Sequence, residues 1–397
     1  MEARILILDT SPIRRGAQIF AEELAESLIL KGCQVKRLYL FLPKESVTVS
    51  LQTTDSVLPF SERSLLEKFP TFQSGIIVEL KKEIDSFKPQ IILCNGSKTL
   101  KYGAWLRIFG MANKAKLIAR FIDDALFWNK GGIKKWAYFN WIERFDGLIA
   151  VSKKSLDSVI SHYKFQKPAT FIHRVFDPKK FANAPSREEA RKLLGIAEQD
   201  EVLLFLGNLT SQKRPNRFIE IVSQLSQSRP NLKALIVGDG PMKKDLEYQV
   251  SSLKRRENES GAHGFEKSNV LYLMSCIFFA GYQQDVSPYL ASADLLILTS
   301  DTEGLPGVVL EAAHFGVPTV ATEVGGIREC LIDGQTGFLI PDRSVVQFCE
   351  KINFLLDHPD QRKTMGAKAK AFVADKFQMD KVANQYLDFF RLILSQP

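Results

Sequence analysis

Short apolar runs alternate with amphipathic stretches along almost the whole chain. In its first part, Arg4–Asp9, Val35–Leu40, Gln90–Cys94, Lys116–Ile122, Gly147–Val151 and Thr170–His173 read as strands. Ala17–Leu30, Gly75–Phe87, Ile133–Arg144 and Lys153–Tyr163 read as helices between some of them. The strand runs are continuous in Val, Ile and Leu rather than alternating. That is the pattern of strands covered on both faces, hence of a parallel sheet with helices on each side.

The segment Asp177–Gln199, with two prolines and many charges, interrupts this rhythm. The pattern then restarts. Val202–Leu206, Ala234–Val237, Asp294–Thr299 and Pro318–Ala321 read as strands, with Arg217–Leu225, Lys243–Leu253 and Val308–Phe315 as helices. The polar, Gly-containing stretch Lys254–Ser268 reads as an exposed loop. Asp380–Ser395 is one amphipathic helix that the pattern alone assigns to neither part. The expected architecture is α/β, with two doubly wound domains: residues 1–180 and 181–379.

Composition agrees and adds one asymmetry. With 397 residues, 45% hydrophobic and 25% charged, the chain is ordinary globular protein, which excludes disordered, collagen-like and coiled-coil classes. The net charge of +8 is unevenly divided. Residues 1–185 hold 29 Lys and Arg against 18 Asp and Glu, a net of +11, and the remainder holds 24 against 27, a net of −3. The two parts are therefore expected to meet different partners. Met1 to Arg4 leads straight into a strand, without the apolar stretch and cleavage site of a signal peptide. No apolar run approaches the ~18 residues that span a bilayer. Cys33, Cys94, Cys276, Cys330 and Cys349 are far apart and odd in number, so buried free thiols are expected. These features predict a cytoplasmic protein.

The candidate chemistry lies where buried strands run into turns. Asp294–Ser300 ends as a strand, and Asp301-Thr-Glu303-Gly-Leu-Pro306-Gly follows, with Pro306 placed to open a helix. Ligands of open α/β sheets bind beyond the carboxyl ends of strands. The first amides of that helix suit phosphate or sugar oxygens. Glu311 stands in the otherwise apolar Val-Val-Leu-Glu-Ala-Ala, either as a carboxylate for sugar hydroxyls or on the outer helix face. A second strand reaches Gly207-Asn208 and then Lys213-Arg214, cations that suit a diphosphate or simply open a solvated helix. Gly238-Asp239-Gly240, Gly325-Gly326 and the first-domain turn Arg14-Arg15-Gly16 follow other strands. Each alone is a turn. The acidic triplet Asp301-Thr-Glu303 is read as a turn rather than a metal site.

Together these residues form a resemblance. Glu303 and Glu311, with Gly304, Pro306 and Gly307 between them, resemble the E-x7-E motif of family 4 (group 1) retaining glycosyltransferases. Gly207…Lys213, Val237–Pro241, Asp285…Asp294, Gly316–Thr322 and Asp333–Gly337 follow in that family's order. The resemblance is weaker in the first half, where it rests on Gly16-Ala-Gln18, Ala150-Val-Ser152 and Ile172…Asp177…Phe181. It implies a GT-B fold of two Rossmann-like domains facing across a cleft, with the C-terminal helix 380–397 returning to the first. It also implies a nucleotide-sugar donor, no cofactor and no metal. In that reading Glu311 binds ribose and Glu303 the transferred sugar. Gly16, Asn208, Gly304, Leu305, Pro306 and Gly307 line the donor, and Lys213 stabilises the departing diphosphate. Two positions depart from the family. Asn208 stands where an arginine is usual, and Ile122 where a histidine precedes Asp123, the polar residue expected near the acceptor.

Residues 98–141 mix Lys98, Lys101, Arg107, Lys114, Lys116, Arg120, Lys130, Lys134 and Lys135 with Trp and Phe. The pattern predicts an anionic membrane footprint rather than nucleic acid, whose motifs are absent, alongside the reading in which the aromatics are core. The resulting expectation is a retaining, metal-independent hexosyltransferase that builds a cell-surface polysaccharide or glycolipid on a glycan or lipid-linked acceptor. Its rival is a catalytically silent relative that binds nucleotide or glycan.

Overall fold

The computed structural model describes residues 2–14, 16–44, 48–62, 73–122, 132–260 and 276–396. The chain divides into two units, residues 1–175 with 377–397, and residues 176–376. Among the described residues, each is built on one parallel sheet.

In the first unit the order along the chain is β1 (Arg4–Asp9), α1 (Gly16–Leu30), β2 (Gln34–Tyr39), β3 (Ser56–Val57), α2 (Ser74–Phe87), β4 (Ile91–Asn95), α3 (Ser97–Ile108), β5 (Lys116–Phe121), α4 (Gly132–Ile142), β6 (Gly147–Ala150), α5 (Lys153–Tyr163) and β7 (Ala169–Phe171). The seven strands lie in the order β3-β2-β1-β4-β5-β6-β7. Ile5, Leu6, Ile7 and Leu8 are all fully buried, which is why the run shows no alternation. Leu6 and Leu8 pack into the core on one sheet face, and Ile5 and Ile7 into the core on the other.

The C-terminal helix Met379–Leu394 belongs to this unit. Its Val382, Tyr386, Phe390 and Ile393 share a core with Ile5, Ile7, Phe20 and Ile149. Gly147 admits it closely: a Cβ there would lie 2.6 Å from Ile393 Cδ1.

The second unit contains α6 (Arg187–Leu194), β8 (Glu201–Leu206), α7 (Pro215–Leu225), β9 (Leu232–Val237), α8 (Lys243–Ser260), β10 (Ile277–Gly281), α9 (Ser287–Ser292), β11 (Leu295–Leu298), α10 (Gly307–His314), β12 (Thr319–Thr322), β13 (Gly337–Ile340), α11 (Val345–Asp357) and α12 (Pro359–Lys376). Its six strands lie in the order β10-β9-β8-β11-β12-β13.

Three departures from the sequence reading have physical causes. Helix α3 carries no amphipathic stripe because it is enclosed around most of its circumference, with Leu100, Tyr102, Ala104 and even Lys101 buried. Helix α8 runs on through Ser260, so residues 254–260 are helical and not loop, and 261–268 lie outside the described residues. The polar segment after residue 177 holds α6, which opens on a capping box between Ser186 and Glu189 and closes on Gly195 in the left-handed region. All five cysteines are buried, and none forms a disulfide among the described residues.

Candidate functional site

In the second sheet the order reverses at β8. Chain connections leave it toward β9 on one side, and the sheet continues to β11 on the other. The carboxyl ends of β8 and β11 therefore form a topological switch point, where loops diverge and leave room for a ligand. The two loops that meet there are residues 207–214 and 299–306. They are tied by backbone and side chain: Asp301 N–H donates to Gln212 O (2.8 Å), Gln212 Nε2 to Thr302 O (3.1 Å), and Thr299 Oγ1 to Lys213 O (3.0 Å).

Lys213 Nζ donates to both carboxylate oxygens of Glu303, at 2.6 and 2.8 Å. Ser300 Oγ donates to the same Oε1 at 2.6 Å. Glu303 is 4% exposed, so its charge depends on these partners rather than on water. Asp301 is bound by Arg214 Nε and by Arg217 Nη2, the latter at 3.1 Å. Burial works against its ionised form, but the two guanidiniums prevail and hold the carboxyl below its usual range. Each carboxylate of the acidic triplet thus has its own cation. Arg214 takes φ +50°, unusual for a branchless long side chain with a Cβ, and Pro215 opens α7 directly after it.

Close backbone approach explains the glycines of this edge. A Cβ on Gly238 would lie 2.0 Å from Gly207 O, and one on Gly325, at φ +56°, would lie 1.6 Å from Glu303 O. The Gly325-Gly326 turn therefore sits on the Glu303 loop, and Gly326 N–H donates to Gly304 O at 3.0 Å.

The proposed donor residues Gly304, Leu305 and Pro306 are buried, Gly307 begins α10, and Glu311 is half-buried on that helix. No side chain among the described residues caps α10 or α7, whereas α6 and α11 are capped by Ser186 and Ser344. Both helix starts flank the Lys213–Glu303 pair; the first amides of α10 suit a ligand, whereas in α7 Pro215 carries no N–H and Arg217 N–H donates to Arg214 O at 3.0 Å. Asn208 is exposed at the start of its loop. The Asp285 and Asp294 of the quoted motif do structural work instead. Asp285 accepts from Ser287 N–H, and Asp294 is the buried acceptor for Arg187, Arg191 and Arg362 at the amino end of β11.

The first unit has its own switch point, between β1 and β4. There Asp9 is buried and accepts from Gln18 Nε2 (2.6 Å), Thr10 N–H (2.7 Å) and Asn95 Nδ2. Asn95 Oδ1 accepts from Arg120 Nη1 at 2.6 Å, and Arg120 Nε donates to Tyr386 Oη at 3.0 Å. The Arg120 guanidinium lies 3.8 Å from the Phe20 ring centroid. Burial pushes the Asp9 carboxyl up to about 6, against the downward pull of Asn95, Thr10, Gln18 and Arg120. Asn95 Nδ2 also reaches Ala17 O at 3.1 Å, so this network fixes the first turn of α1, where Gly16 stands. Ile122 packs on the Gly96 backbone, and Asp123 lies outside the described residues.

Residues 14–180 match Glycosyltransferase Family 4, and residues 186–372 match Glycosyl transferases group 1. The chain belongs to this family. Among curated relatives, the family-4 chain is 26% identical to the N-acetyl-alpha-D-glucosaminyl L-malate synthase of Bacillus anthracis over 62% of its length. It is also 26% identical to the alpha-D-kanosaminyltransferase of Streptomyces kanamyceticus over 66%. The matched regions span 59% and 64% of those relatives' own lengths. Among solved structures, Anabaena Alr3699/HepE in complex with UDP is 20% identical with a TM-score of 0.76, over 99% of this chain and 100% of that one. WaaG, a glycosyltransferase involved in lipopolysaccharide biosynthesis, gives 17% and 0.72 over 97% and 99%. The two Rossmann-like units are those of the GT-B fold.

In the family-4 chain the basic stretch is not one surface. Lys101 and Arg120 are buried, Arg107 pairs with Asp146, Lys98 pairs with Glu62, and Lys116 donates to Gln396 O. Burial of Tyr102, Phe121 and Trp141 places those aromatics in the core. Exposed here are Ile108, Phe109, Lys114 and Trp136, while residues 123–131 lie outside the described ones. No helix among the described residues is long and apolar enough to cross a membrane.

Proposed function

We propose that the chain transfers a hexosyl group from a nucleotide-sugar donor to a hydroxyl of a glycan or lipid-linked acceptor, with retention of anomeric configuration and without a metal ion. The observation that carries this is the Lys213–Glu303 pair, set at the switch point of the second sheet between two uncapped helix starts. An ammonium beside amides with free N–H groups suits a departing diphosphate, and preorganised charge of this kind is often the largest catalytic term. On donor binding Lys213 turns from Glu303 to the diphosphate. Glu303 then receives sugar hydroxyls, and Glu311 the ribose. Relatives named for polysaccharide and lipopolysaccharide synthesis support a role in building cell-surface glycans or glycolipids at the inner face of the membrane. A membrane contact would use the exposed Ile108, Phe109, Lys114 and Trp136.

The test is a binding panel of UDP, GDP and ADP, followed by release of nucleoside diphosphate from the matching sugar donors. One nucleotide is expected to stabilise the fold by mass action. Slow donor hydrolysis is expected in the wild type and absent in Lys213→Ala. A product of inverted configuration removes the retaining assignment, and a chelator that abolishes turnover removes the metal-independent one.

A second reading, a nucleotide- or glycan-binding scaffold without catalysis, draws on the uncharged Asn208 and the apolar Ile122 packed on Gly96. Nucleotide binding with no turnover in any acceptor fraction selects it.

A further inference from the structure

Lys213 and Glu303 meet across two loops, and each is held in place by a third residue. Among the described residues the Glu303 carboxylate accepts three hydrogen bonds, two from Lys213 Nζ and one from Ser300 Oγ at 2.6 Å. The lysine is the partner free to leave, because its ammonium is partly open to solvent on a flexible four-carbon stem. Ser300 stays. It is fully buried, and so is Thr299 before it.

These two neighbouring hydroxyls, just beyond β11, serve opposite members of the pair. Thr299 Oγ1 shares its hydrogen between the backbone carbonyls of Lys213 (3.0 Å) and Arg214 (2.9 Å). Ser300 Oγ donates to the Glu303 side chain. Arg217 Nη1 donates to Thr299 O and so fastens the run that carries both hydroxyls. One anchor holds the lysine's main chain and the other the glutamate's carboxylate. Neither uses the lysine ammonium. A carboxylate shut off from water is costly once it has no donor left. When Lys213 Nζ departs, Ser300 supplies the hydrogen bond that remains.

We infer that Thr299 and Ser300 are positioning residues that let the Lys213–Glu303 pair open in place. Thr299 keeps the Lys213 backbone fixed while its ammonium moves, and Ser300 keeps the buried Glu303 carboxylate hydrogen-bonded and aimed. What draws the ammonium away rests on the sugar-transfer reading above. The two anchors rest on the geometry of the second unit alone.

Three variants of the full chain test this: Ser300→Ala, Thr299→Val and, as a control, Ser292→Ala. Ser292 is equally buried, but its Oγ donates to Tyr289 O at the other end of β11. The readouts are calorimetric affinity for UDP, GDP or ADP, whichever binds wild type, and the kcat and KM for hydrolysis of its sugar donor. Ser300→Ala is expected to keep nucleotide affinity within about twofold and to lower donor kcat/KM about tenfold or more, the size of one hydrogen bond to a charged group. Ser300→Thr, which keeps the hydroxyl, should recover part of that loss. Thr299→Val should weaken nucleotide binding and turnover together, because it loosens the lysine itself. Ser292→Ala should change neither. A further measurement needs no nucleotide. In Lys213→Met the ammonium is gone, so Ser300→Ala should lower the denaturation midpoint more in that background than in wild type. Equal midpoint shifts in the two backgrounds overturn the inference. So does a Ser300→Ala that loses nucleotide affinity as much as turnover, or turnover unchanged in folded Ser300→Ala or Thr299→Val. If wild type binds none of the three nucleotides while the midpoint shifts still differ, the sugar-transfer reading fails and the anchoring stands.

Discussion

Lys213 and Glu303 are 90 residues apart in sequence, yet Lys213 Nζ lies 2.6 and 2.8 Å from the two Glu303 oxygens. The pair joins the loops after β8 and β11, which are neighbouring strands in the sheet. Lys213 is partly open to solvent, its side chain 24% exposed, while the Glu303 side chain is 6% exposed. The buried member depends on the open one.

Removing the lysine therefore strands a buried carboxylate. Lys213→Met is expected to cost about 1–3 kcal/mol of stability. Glu303→Gln should cost less, because its partner can turn to water. Denaturant unfolding of both single variants and the double variant checks this, and additive effects would show that the ion pair contributes no coupling. Turnover of each variant needs measuring where it is fully folded.

Glycines at the site and away from it should differ sharply. Gly325→Ala drives a Cβ to 1.6 Å from Glu303 O at φ +56°, and about 3–5 kcal/mol is expected from overpacking and left-handed strain together. Gly195→Ala has φ +67° but nothing within 4 Å, so only about 1–2 kcal/mol is expected. Equal melting temperatures for the two variants would contradict the packing of the Gly325 turn on the Glu303 loop.

The Asp9 carboxyl makes stability depend on pH in an unusual direction. Its pKa is raised from 3.8 unfolded to about 6 folded, so the folded state holds the proton more tightly. The contribution is fully present below pH ~4 and is lost as pH rises through about 6, a change on the order of 3 kcal/mol. Asp9→Asn carries no such titration. The wild-type stability measured relative to Asp9→Asn should fall between pH 4 and 7, and a pH-independent difference would refute the burial argument.

Tyr386 should prove as necessary to the first unit as a strand residue. Tyr386→Phe keeps the ring in the core with Phe20 but removes the acceptor of Arg120 Nε, which is expected to cost about 1–3 kcal/mol. Hydrogen exchange should show the loss in β1, β4 and β5, with the second unit unaffected. Uniform protection in both units would mean that Arg120 finds another partner.

The limits of pattern reading show in particular residues. Strands β1 and β8 were legible because burial on both faces leaves an unbroken apolar run. The same burial hides helix α3 from the pattern, because enclosure leaves it no stripe. Lys101 and Arg120 counted toward a basic surface, yet tertiary contacts take both inside.

By itself the sequence determined the repeated βα rhythm, the glycine-bearing turns at strand ends and the position of Lys213 and Glu303 in such turns. These are local consequences of periodicity, backbone freedom and helix-start chemistry, so they can be read over a dozen residues. Only the tertiary structure decided that the β8 and β11 loops adjoin, which arginines are neutralised, and that the final helix completes the first unit's core. Those facts depend on strand order and on pairings between residues 80 or more positions apart, as between Arg217 and Asp301, Lys213 and Glu303, or Arg120 and Tyr386. Charge is counted along a chain, but it is neutralised in space.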